Sequence, residues 1–220
     1  MKSNKKSNIK AARKKNMSGA AIIGAVLLTV VVVAYALVVI LDSRDIKEDS
    51  KVVNENVKVL VEMENGGEFI IELYPEYAPQ TVQNFVDLVT DGFYDGVGFH
   101  RVVEGFMAQG GDPEGTGMGG SGVQIPGEFA ANGFTQNTLS HTRGVISMAR
   151  SQDPDSASSQ FFICYDDASF LDGQYAAFGK VIQGMAVVDA FINVKRTFNG
   201  MGEEAVPVEP IIMERVTIID

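Results

Sequence analysis

The sequence has no tryptophan and a single cysteine among its 220 residues. One thiol excludes an internal disulfide and any cysteine-rich metal site. Cys164 stands in the apolar run FFICY with no activating partner beside it, and reads as a small buried hydrophobe. Histidine is nearly as scarce. His100 and His141 lack the spacing of metal ligands and read as core or hydrogen-bonded residues. No metal and no cofactor are expected.

Acid is missing from the first 41 residues, which hold Lys2, Lys5, Lys6, Lys10, Arg13, Lys14 and Lys15. With those seven set aside from the 18 basic residues, the remainder carries 11 basic and 28 acidic residues, a formal net of −17. Such a body has no electrostatic footprint for nucleic acid. The glycine-rich stretch DPEGTGMGGSG, 112–122, lacks the Gly-Lys-Ser/Thr ending of a nucleotide phosphate loop. Ser158-Ser159 has no G-x-S-x-G setting, so a nucleophile elbow is not indicated.

Residues 17–41, MSGAAIIGAVLLTVVVVAYALVVIL, hold no charge. As a helix they would span roughly 37 Å, against a bilayer core of about 30 Å. The cations before the run and the acid-rich segment after it predict a cytoplasmic N-terminus. The alternative is a cleaved signal peptide, with secretion, because Ala34-Tyr35-Ala36 has the A-x-A form. Cleavage there would leave LVVIL at the new N-terminus, so an uncleaved anchor is favoured. The expected organisation is a basic cytoplasmic tail (1–16), a transmembrane anchor (17–41), a polar linker (42–56) and an extracytoplasmic domain (57–220).

From residue 57 the pattern changes to period two. VKVLVEME and EFIIELY alternate about Asn65-Gly66-Gly67, which predicts a hairpin. In APQTVQNFVDLVTDG, Val82, Phe85, Val86 and Val89 fall at i, i+3, i+4 and i+7, which predicts a helix. Pro79 suits its first turn and Gly92 its end. Further short strands are expected at GFHRVV, GVISMA, FFICY, AAFGKVI and IIMERVTIID, with a second helix at MAVVDAFINV. Many short strands with two helices imply an antiparallel barrel or sandwich.

One stretch needs its own explanation. FHRVVEGFMAQGGD, 99–112, sets Arg101 and Gln109 among large apolar side chains. Together with GTG, HTRGV, ISMAR, SSQFFI and FLDGQYAAFGKV, it closely resembles the cyclophilin-type peptidyl-prolyl isomerases, from about residue 57 to the end. The resemblance implies a mainly β fold: a closed eight-stranded antiparallel β-barrel capped by two α-helices, here preceded by one N-terminal transmembrane helix. It implies cis–trans isomerisation of X-Pro bonds in exported or surface polypeptides, assisting their folding. Proline-containing polypeptides would be the partners, and a monomer is expected. The competing reading is a non-catalytic proline-peptide chaperone or scaffold that uses the same groove.

Carried over position by position, the resemblance makes Arg101 the catalytic residue. It places Phe106, Met107, Gln109, Gly115, Ala149, Arg150, Gln160, Phe162, Phe170, Leu171 and Tyr175 at the substrate groove. Family members often carry Trp where this chain has Phe170, His where it has Tyr175, and Asn where it has Arg150. The loop from Ala149 to Gln160 also looks one residue longer than in common eukaryotic members. Alternation along FFICY sends Phe161 to the core and Phe162 to the groove.

Overall fold

The computed structural model describes residues 52–220. The expected basic tail, the anchor and most of the linker lie outside the described residues. Among the described residues no helix is long and apolar enough to cross a membrane.

The elements in order are β1 (Val57–Met63), β2 (Glu68–Leu73), α1 (Pro79–Thr90), β3 (Phe99–Val103), β4 (Met107–Gly110) and β5 (Val145–Met148). Then come β6 (Phe161–Cys164), β7 (Ala177–Gln183), α2 (Met185–Asp189), β8 (Arg196–Phe198), β9 (Glu204–Pro207) and β10 (Met213–Ile219). Eight strands form one antiparallel sheet in the order β10-β1-β2-β7-β5-β6-β4-β3, and β8 and β9 form a separate hairpin. β1 and β2 are joined at the Asn65-Gly66-Gly67 turn, where Gly66 takes the left-handed φ of 79°.

The closed barrel expected from the sequence is corrected here. The sheet curls, but its two edge strands, β3 and β10, share no regular ladder. A single bridge, Gly98 to Ile212, links their ends. Glycine at position 98 permits this approach, since a Cβ there would press on Ile212 and on the Ile211 carbonyl.

Helix α1 buries Val82, Phe85, Val86 and Val89, the spaced positions of its apolar stripe. Each such burial contributes roughly 1.5–3 kcal/mol. Pro79 begins the helix, and no side chain at the N-cap satisfies its first turn. A distant carboxylate does so instead. The buried Glu128 accepts from the backbone N–H groups of Gln80 and Thr81 and from the Thr81 hydroxyl, at 3.0, 2.8 and 2.7 Å. Helix α2 starts after Gly184 and gives way to a 3-10 turn, Ala190–Asn193, so MAVVDAFINV is only half α-helical.

The main core lies inside the curl. Phe85, Tyr94, Phe99, Phe161 and Phe178 meet there at centroid distances of 4.9 to 5.8 Å, mostly edge-on or tilted. A second apolar cluster of Met107, Phe162, Cys164, Ala168 and Leu171 forms apart from it. Burial pushes the Cys164 thiol up to about 12, helped by Asp172 and Asp167, so it is an inert packing group. Phe161 belongs to the first cluster and Phe162 to the second, as alternation along a strand requires.

Candidate active site

Strand register builds the site. Arg101 on β3 is paired with Gln109 on β4, Gln109 with Phe162 on β6, and Phe162 with Ser147 on β5. Residues directly opposite in a sheet share a face. This row therefore presents Arg101, Gln109 and Phe162 together on the face away from the main core. The next row adds Met107, paired with Cys164.

Arg101 reaches that face through an irregularity. Phe99 and Arg101 are two residues apart and would point the same way in a regular strand. Yet Phe99 is in the main core. On β3 the register advances two residues, from Phe99 to Arg101, while β4 moves only from Gly110 to Gln109. His100 is the extra residue of a bulge, and the bulge turns Arg101 outward. Gly110 and Gly111 are required beside it. A Cβ on Gly110 would lie 2.9 Å from the Gly98 carbonyl oxygen, and one on Gly111, at φ 83°, would run into the Ser159 carbonyl.

Nine of the twelve expected positions line one cavity of about 290 Å³: Arg101, Phe106, Met107, Gln109, Ala149, Arg150, Phe162, Leu171 and Tyr175. Gly115 lies outside it, on a neighbouring cavity of about 420 Å³ that shares Arg101 and Gln109. Gln160 is not among the nine and lines a third cavity of about 280 Å³ with Gln109, Ala149 and Arg150. Phe170 is a rim residue, 65% exposed, with its ring 5.7 Å from that of Phe106. Because the chain has no tryptophan, Phe170→Trp creates a sole indole reporter at this rim. Its emission is expected to shift on titration with an X-Pro peptide, and an unchanged spectrum at saturation would remove residue 170 from the binding surface.

A hydrogen-bonded chain of polar groups crosses the site. Arg101 Nη1 donates to Gln109 Oε1 at 3.3 Å, Gln109 Nε2 to Gln160 Oε1 at 2.8 Å, and Gln160 Nε2 to the Gly119 carbonyl at 2.8 Å. Arg101 also meets a partner that the sequence reading missed. Its Nε and Nη2 donate to the two carboxylate oxygens of Glu203 at 2.7 and 2.8 Å. The guanidinium hydrogen bonds hold the Glu203 carboxyl below its ordinary value, against the upward effect of burial. No local signal could have exposed this pair, since 102 residues separate the two.

Arg150 sits between the rings of Phe129 and Tyr175, 5.0 and 4.7 Å from their centroids. Its guanidinium donates to the carbonyls of Gln174 and Ser151. The side chain thus braces the groove wall and spends its donors on its own backbone.

The glycine-rich loop after β4 folds about an anion supplied by the chain itself. Asp112, 1% exposed, accepts from the backbone N–H groups of Glu114, Thr116, Gly117 and Gly119 at 2.7 to 3.2 Å. Burial pushes its carboxyl up, but these donors and nearby His100 outweigh that effect, and it lies below its ordinary 3.8.

Behind Phe162, the His141 ring runs between Asp172 Oδ1 at 2.8 Å and Ser147 Oγ at 2.9 Å. It stacks on Phe162 with centroids 6.1 Å apart. The order Asp-His-Ser matches that of a hydrolase, but a nucleophile needs access to substrate. Ser147 is fully buried, so the trio supports the floor of the groove. Burial lowers the His141 pKa from the ordinary 6.5, against the pull of Asp172. His100 is lowered as well, by burial and by Arg101, against Asp112. Both rings hold a proton less tightly in the fold than in the unfolded chain. Their contribution is complete above about pH 6.5 and is lost as pH falls below it. The urea midpoint is accordingly expected to drop between about pH 7 and about pH 5. A rise over that interval would contradict the lowered imidazole values.

Among the described residues, no three His, Cys, Asp or Glu side chains come together so as to hold a metal ion. The site offers a cationic fork, a line of carboxamides and an apolar slot, on the outer face of a curled antiparallel sheet. Such an arrangement can take up a small apolar ring and set N–H donors beside an adjoining amide.

Comparison with known proteins gives the family. Residues 58–218 match the family model of the cyclophilin type peptidyl-prolyl cis-trans isomerases. A Helicobacter pylori peptidyl-prolyl cis-trans isomerase is 47% identical over 127 residues, covering 57% of this chain and 74% of that protein. Escherichia coli peptidyl-prolyl cis-trans isomerase B is 41% identical over 162 residues, covering 70% and 95%. A crystal structure of a Cryptosporidium parvum cyclophilin type isomerase superposes with a TM-score of 0.64 at 30% identity, covering 76% of this chain and 99% of that one. Another, determined in the presence of the dipeptide Ala-Pro, has a TM-score of 0.63 at 32% identity, covering 74% and 99%. The chain belongs to the cyclophilin-type peptidyl-prolyl cis-trans isomerase family.

Proposed function

We propose that this chain accelerates X-Pro bond rotation in exported or surface polypeptides, with Arg101 as the catalytic residue. The observation that carries the reading is the convergence of Arg101 with Phe106, Met107, Phe162 and Leu171 on one cavity. Rotation about a peptide bond meets a barrier of about 18–20 kcal/mol, set by amide resonance. In X-Pro the two isomers lie within about 1 kcal/mol of each other but exchange slowly. Twisting breaks the resonance, and the prolyl nitrogen becomes pyramidal and regains a lone pair. A donor aimed at that nitrogen stabilises the twisted form more than either planar form, which is differential transition-state binding. Arginine suits the task because its charge is permanent and its donors are rigidly placed.

The apolar side chains hold the pyrrolidine ring while the acyl side turns. Gln109 keeps Arg101 Nη1 oriented, and the Ala149–Arg150 wall offers its backbone to the peptide. No covalent intermediate is needed. Exchange NMR on an X-Pro peptide with the full chain tests the reading: faster exchange at catalytic concentration supports it, and binding without acceleration would leave a proline-peptide chaperone.

The proposal extends to location. The uncharged run 17–41 and the charge split around it support a membrane anchor with the isomerase domain, 57–220, outside the membrane. An isomerase held there meets exported chains while proline steps still limit their folding. Membrane fractionation with intact mass measurement checks this. A soluble product beginning after Ala36 would replace the anchor with a cleaved signal.

A further inference from the structure

We propose that Glu203 is a positioning residue for Arg101, delivered to the groove by the β8–β9 hairpin. The inference rests on the reading of Arg101 as catalytic. An arginine side chain is long and has many rotamers, so a useful donor must be held by something other than its own stem. Glu203 grips one edge of the guanidinium, Nε and Nη2, in the two-pronged geometry that fixes both the plane and the direction of the group. Gln109 takes one N–H of Nη1. The other Nη1 hydrogen faces the Met107 sulfur at 3.9 Å, a weak acceptor that a substrate can displace. Nη2 keeps one further N–H. Glu203 and Gln109 together thus leave one N–H on each terminal nitrogen available to a substrate amide.

The hairpin turn is arranged to present this carboxylate. Asn199 Oδ1 accepts from the backbone N–H groups of Met201 and Glu203 at 2.9 and 3.0 Å, and Asn199 Nδ2 donates to Glu203 Oε2 at 3.1 Å. The Asn199 N–H donates to the Glu203 carbonyl at 2.9 Å, and Gly202 takes a φ of 78° to close the turn. The orienting residue is itself oriented, in backbone and in side chain, by the turn that carries it. β9 also lies against β3, the strand that bears Arg101.

The test is a set of kinetic comparisons on the full chain, using NMR exchange of an X-Pro peptide to obtain kcat and KM. Glu203→Ala is expected to lower kcat about tenfold with KM changed less than about twofold, because the donor is displaced rather than removed. Glu203→Gln should recover about a third of the wild-type rate, since its amide oxygen can still accept one of the two bonds. In an Arg101→Ala background, Glu203→Ala should change nothing further. A Glu203→Ala enzyme within about twofold of the wild-type kcat overturns the proposal, and so does an equal loss in both backgrounds, which marks a merely structural role. Full activity in Arg101→Ala alone instead removes the catalytic reading on which the proposal stands. Should Glu203→Ala fail to fold, the near-isosteric Glu203→Gln decides through the Arg101 Nε–H NMR signal: a shift together with a reduced kcat supports the pairing, and an unmoved signal overturns it.

Discussion

Arg101→Ala should reduce kcat/KM for X-Pro exchange by about 10²–10³-fold, or roughly 2.7–4 kcal/mol of transition-state stabilisation. The loss should fall on kcat, because the apolar cavity lining of Phe106, Met107, Phe162 and Leu171 is untouched. Arg101→Lys should land between the two. An ammonium keeps the charge but cannot hold Glu203 with two prongs and Gln109 with a third, as the guanidinium does. Steady-state NMR exchange or a protease-coupled assay reads both variants. An Arg101→Ala enzyme with unchanged kcat would mean that the slot alone twists the bond.

Asp112→Ala is expected to produce the largest loss of stability outside the main core, about 3–5 kcal/mol in urea unfolding. The carboxylate gathers four backbone N–H groups and the Thr116 hydroxyl, and alanine leaves all of them turned toward an empty centre. Asp112→Asn should cost less, since one acceptor oxygen survives. Activity should fall as well. Gly119 of this loop accepts from Gln160, which accepts from Gln109, which accepts from Arg101. A disordered loop therefore loosens the far end of the hydrogen-bonded chain that ends at Arg101. The pH dependence has a definite sign. The folded-state value is depressed, so the contribution is present above the ordinary 3.8 and disappears as pH falls through the lower folded value. Unfolding curves for Asp112→Ala that coincide with those of the wild type would show that the loop holds without its carboxylate.

What could be read in the sequence was what is written locally. The stripe Val82, Phe85, Val86 and Val89 announces α1 because helical spacing is a short-range property. The β1–β2 hairpin is legible in its alternation and its Asn-Gly turn. The groove residues came from a resemblance rather than from periodicity, and the reason is visible in β3. Alternation would put Phe99 and Arg101 on one face, and the bulge at His100 puts them on opposite faces. A bulge depends on the partner strand, and β4 is a four-residue run ending in glycine that pattern reading passes over. The β8–β9 hairpin is equally short.

Long-range polar contacts were the other blind spot. Glu128 satisfies the first turn of α1 from 47 residues away, and Glu203 reaches Arg101 across 102. Nothing in the composition of either segment marks these acids among the 28 in the chain. Asp112 was visible as the start of a glycine-rich loop, which reads equally well as a flexible connection. Its burial and its ring of donors exist only once the loop has closed on it.

The seam where β3 and β10 face each other bears on self-association. A bare strand edge is a template on which an extended, sticky polypeptide can polymerise. Here one end of each edge is tied to the other at Gly98 and Ile212, and β9 lies along β3. The edge of the strand that carries Arg101 is thus partly covered by β9, which leaves less of it open to such pairing.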